Sequence, residues 1–277
     1  MGCCISVSKS TNYDVVLKIP GSKNYLHYAN NKFIKKSDIN EWLKSLYSKN
    51  DIVNYIVYND EHEDKVNGTC GHCKGVLTWN KTSITWLVHS VPKFPENFNG
   101  KEISELPESG IEFGQSFIFV HDIDIMHLNV ILENLYAMHP AVYITTIDIP
   151  KRFKTFENKL LKPINISENI SHIAKSSSHN LDIYEHLARY HKGVWICRTW
   201  IRGHECQETY YVKNNKVIMY ENITYKHTQD HSKYACNDEY VIIGDLNRMT
   251  TQFERGGGGI LIKDKKLATQ INKLFVK

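Results

Sequence analysis

Two short basic triplets, His72-Cys73-Lys74 and His231-Ser232-Lys233, hold the residue types that a phosphodiester-cleaving site requires. A phosphodiester is anionic, so its cleavage calls for a nucleophile better than water and for cations against the charge that builds on the phosphoryl oxygens. Histidine can attack phosphorus or protonate the departing oxygen, and lysine can neutralise the oxygens. One His-x-Lys alone is most often a solvated surface pair. Here both triplets are followed, after nearly equal intervals, by the polar end of an apolar run. In the first case the run ends in His89 and Ser90, and in the second it ends in Asp245 and Asn247. The matching order points to two halves of one chain that each give a histidine and a lysine to a single site. Asn247 and Asp245, with His89 and Ser90 at the corresponding place, are candidates to orient a histidine or contact phosphate.

Such a site needs no divalent metal, and the sequence has no obvious carboxylate cluster for a two-metal nuclease. No cofactor is expected. Cys70 and Cys73 with His204 and Cys206 do not reproduce the spacing of a structural zinc site. The run Arg255-Gly256-Gly257-Gly258-Gly259 has two readings. One is a phosphate cradle of exposed N–H groups, and the other is a tight bend where two backbones pass closely. It lacks the Gly-Lys-Ser/Thr of a nucleotide-triphosphate loop. Trp195, Trp200 and Phe119 read as core filling rather than as stacking platforms for bases.

The elements that must position these residues follow from hydrophobic pattern. Residues 13–19, 52–58, 116–120 and 194–200 read as strands. Residues 75–79 and 84–88 read as a hairpin with His72 near one end and His89 near the other. Helices are predicted from a cap at Ser37 through Leu46, over 124–138, over 181–190 and over 263–275. Residues 92–108 read as an irregular crossing segment, and the polar stretch 160–178 as the approximate junction of the halves. Strands and helices alternate, which implies an α/β architecture with helices over a mostly buried sheet. The organisation expected is a flexible N-terminus over 1–12, a first half over 13–175 and a second over 176–277, in one compact unit.

A hydrophobic fraction of 42% in 277 residues supports a sizeable core rather than a disordered chain. The net charge of +4 suits a polyanionic substrate but excludes bulk packaging of nucleic acid, so any such contact must come from local clusters. Seven cysteines and no apolar leader suggest a reduced, intracellular protein. Met1-Gly2-Cys3-Cys4-Ile5-Ser6 fits N-myristoylation at Gly2, with Cys3 and Cys4 placed for a second acyl chain. The expectation is a cytoplasmic protein, either free with an ordinary flexible start or anchored by acyl chains to the cytoplasmic face of a membrane.

Longer blocks around the triplets resemble the deoxyribonuclease II family, the acid DNases. The first block is Gly71-His72-Cys73-Lys74-Gly75-Val76-Leu77, followed by the run from Trp86 to Pro95. The last contains Asp230-His231-Ser232-Lys233-Tyr234, the stretch from Ile243 to Thr250, and Gln252-Phe253-Glu254-Arg255-Gly256-Gly257-Gly258. Residues 13–20 are similar to the family's opening strand, and Phe113-Gly114-Gln115-Ser116 to a central block. The resemblance implies a distant relation to the phospholipase D superfamily: two pseudo-symmetric halves with joined central sheets flanked by helices, and a two-histidine, metal-independent site. It also implies hydrolysis of double-stranded DNA to 3′-phosphate and 5′-hydroxyl ends through a phosphohistidine. His72 is then the nucleophile and His231 the general acid, with the reverse assignment left open by the near-symmetry; Lys74 and Lys233 complete the triplets, and Asn247 takes the place of the superfamily's asparagine.

The family is typically secreted or lysosomal and disulfide-bonded, which this sequence does not match. Work near neutrality would need the acid histidine raised by a carboxylate such as Asp245 or Asp230. Two alternatives stay open: a DNA-binding decoy or adaptor without turnover, and a phosphodiesterase acting on lipids or small phosphodiesters. Monomer and homodimer are both open.

Overall fold

A computed structural model describes residues 12–48, 51–62, 68–148, 163–201, 203 and 205–276. Gly2, Cys3, Cys4 and His204 lie outside the described residues. Alternating apolar positions make two large sheets. The first contains β1 (Asn12–Lys18), β2 (Tyr25–Ala29), β3 (Lys32–Lys36), β4 (Asn54–Asn59), β5 (Lys74–Trp79), β6 (Ser83–His89), β7 (Gln115–Asp124) and β8 (Val142–Thr145). Its spatial order is β3-β2-β1-β7-β6-β5-β4-β8, antiparallel throughout.

The second sheet is built from β9 (Ile164–Asn165), β10 (Ile170–Lys175), β11 (Trp195–Arg198), β12 (Val212–Asn214), β15 (Tyr234–Cys236), β16 (Tyr240–Gly244) and β17 (Gly257–Lys263). Its order is β12-β11-β15-β16-β17-β10-β9, and only the β11–β12 pair is parallel. A small ribbon, β13 (Val217–Tyr220) and β14 (Ile223–Lys226), stands apart. Hairpins therefore make most of the sheet connections, where the sequence pattern had implied alternation of strands with helices.

The period of two sorts side chains onto two faces. Ile84, Trp86 and Val88 of β6 and Ile118 and Val120 of β7 face a shared core, and so do Val241 and Ile243 of β16 and Ile260 and Ile262 of β17. Strand β16 meets β6 and β7 directly. Helices α3 (Leu128–Ala137) and α5 (Lys265–Leu274) add Ile131, Leu132, Leu135, Leu267 and Ile271 to the same core. The outer face of the first sheet carries Val57, Leu87 and Phe117 under α1 (Ile39–Ser45) and the segment that runs up to α2 (Glu108–Glu112). The outer face of the second carries Ile242 and Leu261 under α4 (Ile183–His191). The chain is thus two pseudo-symmetric halves of phospholipase D-like architecture, with sheets joined through one core and helices on their flanks.

Several expectations shift in detail. Asp38, not Ser37, caps α1, its carboxylate accepting from the Asn40 N–H at 2.9 Å. Residues 125–127 form a 3-10 turn ahead of α3, because Asp124 belongs to β7 and caps that turn. Residues 170–175, placed by the sequence pattern in the first half, form β10 of the second sheet. The glycine run allows the close backbone approach expected of it, but not in a bend: Gly257–Gly259 lie inside β17, an interior strand between β16 and β10. Among the described residues, no helix is long and apolar enough to cross a membrane.

Candidate active site

His72 and Lys74 sit where the chain enters β5, and two glycines let them approach the other half. A Cβ on Gly71 or on Gly256 would collide with the carbonyl oxygen of Met138. With both absent, the His72 N–H donates to the Gly256 oxygen at 2.8 Å. The imidazole is fixed by the second half as well, its Nδ1 lying 2.6 Å from the backbone oxygen of Asp245. A carbonyl can only accept, so Nδ1 carries the proton and Nε2 keeps its lone pair.

The Lys74 ammonium lies 2.5 Å from Asp60 Oδ1 and 3.0 Å from Glu61 Oε1. The second oxygen of Asp60 accepts from Arg255 at 2.9 Å, and Glu61 Oε1 is 3.7 Å from His72 Nε2. Asp60, Glu61 and His72 hold ligand atoms within 4.8 Å of one another, a spacing suited to a metal ion. The positive charges against those carboxylates are those of Lys74 and Arg255, which leaves the set poorly suited to a second cation.

The second triplet enters β15 in the same way. The His231 N–H donates to the Gly114 oxygen at 2.8 Å, and the Lys233 N–H donates to Ser116 Oγ at 3.0 Å, both acceptors being in the first half. Lys233 Nζ donates to the His231 oxygen at 2.5 Å. The His231 ring lies between two aromatic side chains, parallel to Phe113 at 4.4 Å and tilted against Trp200 at 4.1 Å. Its Nε2 is buried with no hydrogen-bond partner among the described residues. Asp230 is taken up by Arg198 at 2.9 Å and by the Ser232 N–H at 3.0 Å.

Electrostatics connects the two half-sites. Burial, aided by Lys74, Lys233 and Arg255 against the pull of Asp60, lowers the His72 pKa to about 3. Burial lowers His231 to about 3 as well, with Lys233 and Lys74 acting against Glu61 and Asp230. Each histidine therefore feels both lysines. Lys233 is brought down to about 8 by burial and by the repulsion of Lys74. Burial pulls Lys74 in the same direction, but Asp60 and Glu61 outweigh it and hold it above its ordinary value. Asp230 does pull His231 upward, as expected, but burial and the lysines outweigh it, and Asp245 raises neither histidine. Asp245 acts on His72 through its backbone oxygen, burial pushes its own carboxyl well above the usual range, and Asp230 serves Arg198.

Asn247 is buried beyond the end of β16 with Oδ1 unpartnered. His89 is buried on the side of the first sheet that carries Phe94 and Phe117, its ring 5.2 Å from Phe94, and its Nδ1 accepts from the Val91 N–H at 3.2 Å. Its neighbour Ser90 bonds Gln115 Oε1 at 2.6 Å. No hydrogen bond or ion pair joins His89 to either triplet. The residues that sequence reasoning missed are Asp60, Glu61, Arg255, Phe113 and Trp200. Trp200 was read as core, yet it is half-buried against His231. Asp60 directly follows β4 and reaches Lys74 only through the β4–β5 register, so no local signal marks it.

Two facing sheets, each delivering a His-x-Lys to one buried, cation-rich junction, define a hydrolase of phosphodiester bonds with phospholipase D-like architecture. Residues 20–277 match the Deoxyribonuclease II family. Similar proteins include Deoxyribonuclease-2-beta of Mus musculus, 31% identical over 87% of this chain and 76% of its own length. Deoxyribonuclease-2 of Caenorhabditis elegans is 31% identical over 77% of this chain and 63% of its own length. Putative deoxyribonuclease-2 of Burkholderia thailandensis is 28% identical over 78% of this chain and 69% of its own length. The chain belongs to the deoxyribonuclease II family, and is a nuclease that hydrolyses the phosphodiester bonds of nucleic acid.

Proposed function

We propose that the chain is an endonuclease that hydrolyses double-stranded DNA without a metal cofactor, leaving 3′-phosphate and 5′-hydroxyl ends. The observation that carries the reading is the hydrogen bond from His72 Nδ1 to the Asp245 oxygen, which leaves Nε2 unprotonated in a ring whose pKa is about 3. In the first step the Nε2 lone pair forms the N–P bond as the P–O5′ bond breaks, and His231 gives its proton to the 5′ oxygen. In the second, His231 takes a proton from water, whose oxygen attacks phosphorus and breaks the N–P bond. His231 must be protonated for the first step. An incoming phosphate offsets the positive charges of Lys74 and Lys233 that help hold it neutral, and so raises it. Lys74, Lys233 and Asn247 supply the charge and hydrogen bonds for the phosphoryl oxygens.

The test is plasmid cleavage in excess EDTA with end-group analysis. Full activity with 3′-phosphate ends is expected. Cleavage abolished by chelator, or 5′-phosphate ends, would sink the reading.

For location, we propose a reducing compartment with the N-terminus held on a membrane by acyl chains at Gly2 and at Cys3 or Cys4. The free thiols of Cys70, Cys73, Cys197, Cys206 and Cys236 support the first part, and the N-terminal pattern supports the second. Labelling with a myristate analogue should be lost in Gly2→Ala. Labelling that persists there removes the anchor.

A further inference from the structure

Both histidines hang from equivalent segments of the opposite half. Gly256, which accepts from the His72 N–H, immediately precedes β17, and Gly114, which accepts from the His231 N–H, immediately precedes β7. Each of these strands pairs with an antiparallel neighbour that ends in a lysine. Lys175 of β10 stands opposite Gly257, and Lys18 of β1 stands opposite Gln115. Both lysines are 0% exposed, although neither triplet contains them.

Their ammonium groups bind the same pattern of backbone. Lys175 Nζ donates to the carbonyls of Phe253 and Arg255, each at 2.6 Å, and to that of His179 at 2.8 Å. Lys18 Nζ donates to the carbonyls of Ile111 and, at 2.7 Å, Phe113. In each half, then, one ammonium ties the carbonyls three residues and one residue before the glycine whose own oxygen carries the other half's histidine. Adjacent carbonyls turned toward one buried point repel one another unless a donor lies between them. Lysine, with three rotatable donors and no acceptor, fits such a cage.

We infer that Lys18 and Lys175 are positioning residues for the phosphodiester chemistry, each folding the tight segment that aims the opposite half's histidine: Lys18 for His231, and Lys175 for His72. The inference rests on the reading that the two histidines act on substrate. A buried cation is otherwise unfavourable. Burial lowers Lys18 to about 7 against the pull of Asp230, and lowers Lys175 to about 8. That the same unfavourable placement occurs twice, at equivalent points and only one residue from each hanging glycine, favours a role in geometry over a chance of packing. Lys18 also grips Phe113, whose ring lies on His231, so its effect reaches both the backbone and the imidazole.

The experiment uses full-length Lys18→Met and Lys175→Met. Imidazole 15N shifts are recorded at neutral pH and assigned with His72→Asn and His231→Asn, beside kinetics on plasmid DNA. A crosswise pattern is expected: Lys175→Met moves the shifts of His72 and leaves those of His231, and Lys18→Met does the reverse. In both variants kcat should fall by about 100-fold while KM changes by less than about threefold. Folded variants in which both histidines keep their shifts, or in which both move alike in either variant, overturn the assignment. Should a methionine variant not fold, Lys18→Arg and Lys175→Arg keep the charge and displace the donors. The same crosswise shifts are then expected, and wild-type shifts in the arginine variants overturn it. Full cleavage by His72→Asn and His231→Asn would instead remove the catalytic reading and leave the crosswise shifts standing.

Discussion

His72 Nδ1 and the backbone oxygen of Asp245, 2.6 Å apart, join the two halves at the proposed nucleophile. The partner is a main-chain atom, so no side-chain change at position 245 removes it directly. The tautomer of His72 is therefore a property of how β16 ends.

Replacing either histidine should remove turnover. His72→Ala and His231→Ala are each expected to lose at least about 10²–10⁴-fold in kcat, the range for a positioned acid, base or nucleophile. Single-turnover gel assays check this, and a folded variant within tenfold of wild type, about 1.4 kcal/mol, contradicts it.

Glu61 places a negative charge 3.0 Å from Lys74 Nζ, where the scissile phosphate needs a cation. Burial would raise its pKa, but Lys74 and His72 outweigh burial and hold it below its ordinary value, so it is ionised at neutral pH. Glu61→Gln should tighten DNA binding at pH 7. Binding isotherms at pH 7 test this, and equal affinity there contradicts it.

Asp60 pairs with both Lys74 and Arg255 and is fully buried. Asp60→Asn removes the buried carboxylate that Lys74 and Arg255 share, and breaking a buried pair costs about 3–5 kcal/mol. The urea midpoint should fall accordingly and cleavage should be lost. A midpoint shift under about 1 kcal/mol equivalent contradicts the pairing.

Stability should decline in acid. Burial lowers His172 from 6.5 to about 3, its ring tilted against that of Trp86 at 4.4 Å and its Nδ1 accepting from Asn134 at 3.2 Å. The unfolded chain therefore binds the proton first, and the stability present above pH 6.5 is lost as pH falls toward 3. By pH 4.5 the loss is roughly 2–3 kcal/mol for such a histidine. Calorimetric Tm should fall from pH 7 to pH 4.5, and less steeply in His172→Gln. Parallel curves contradict the assignment.

Much of this was legible from local pattern. The triplets stand out because each leads into a two-strand apolar hairpin, and the period of two in β5, β6 and β16 is visible without a fold. Asp60 was not legible as a site residue, because it meets Lys74 only through the β4–β5 register, in which Asn59 faces Lys74. Strand β10 was masked by Ser171, His172 and Lys175, polar residues that the fold satisfies with Asn165, Asn134 and backbone carbonyls. The glycines of β17 offer no β-propensity. They occupy a strand because the neighbouring backbones leave no room for side chains. Pairing between strands decides all three cases, and the pattern of a single strand does not contain it.

The position of β17 has a consequence for synthesis. The acceptor for the His72 N–H is Gly256, and the strand that follows it completes the middle of the second sheet. A chain still on the ribosome, with the first triplet and even the second already exported, has no hanging point for His72 and an unpaired edge on β16. The hydrogen bond that holds His72 therefore forms only after the stretch from Arg255 to Lys263 has emerged, late in synthesis.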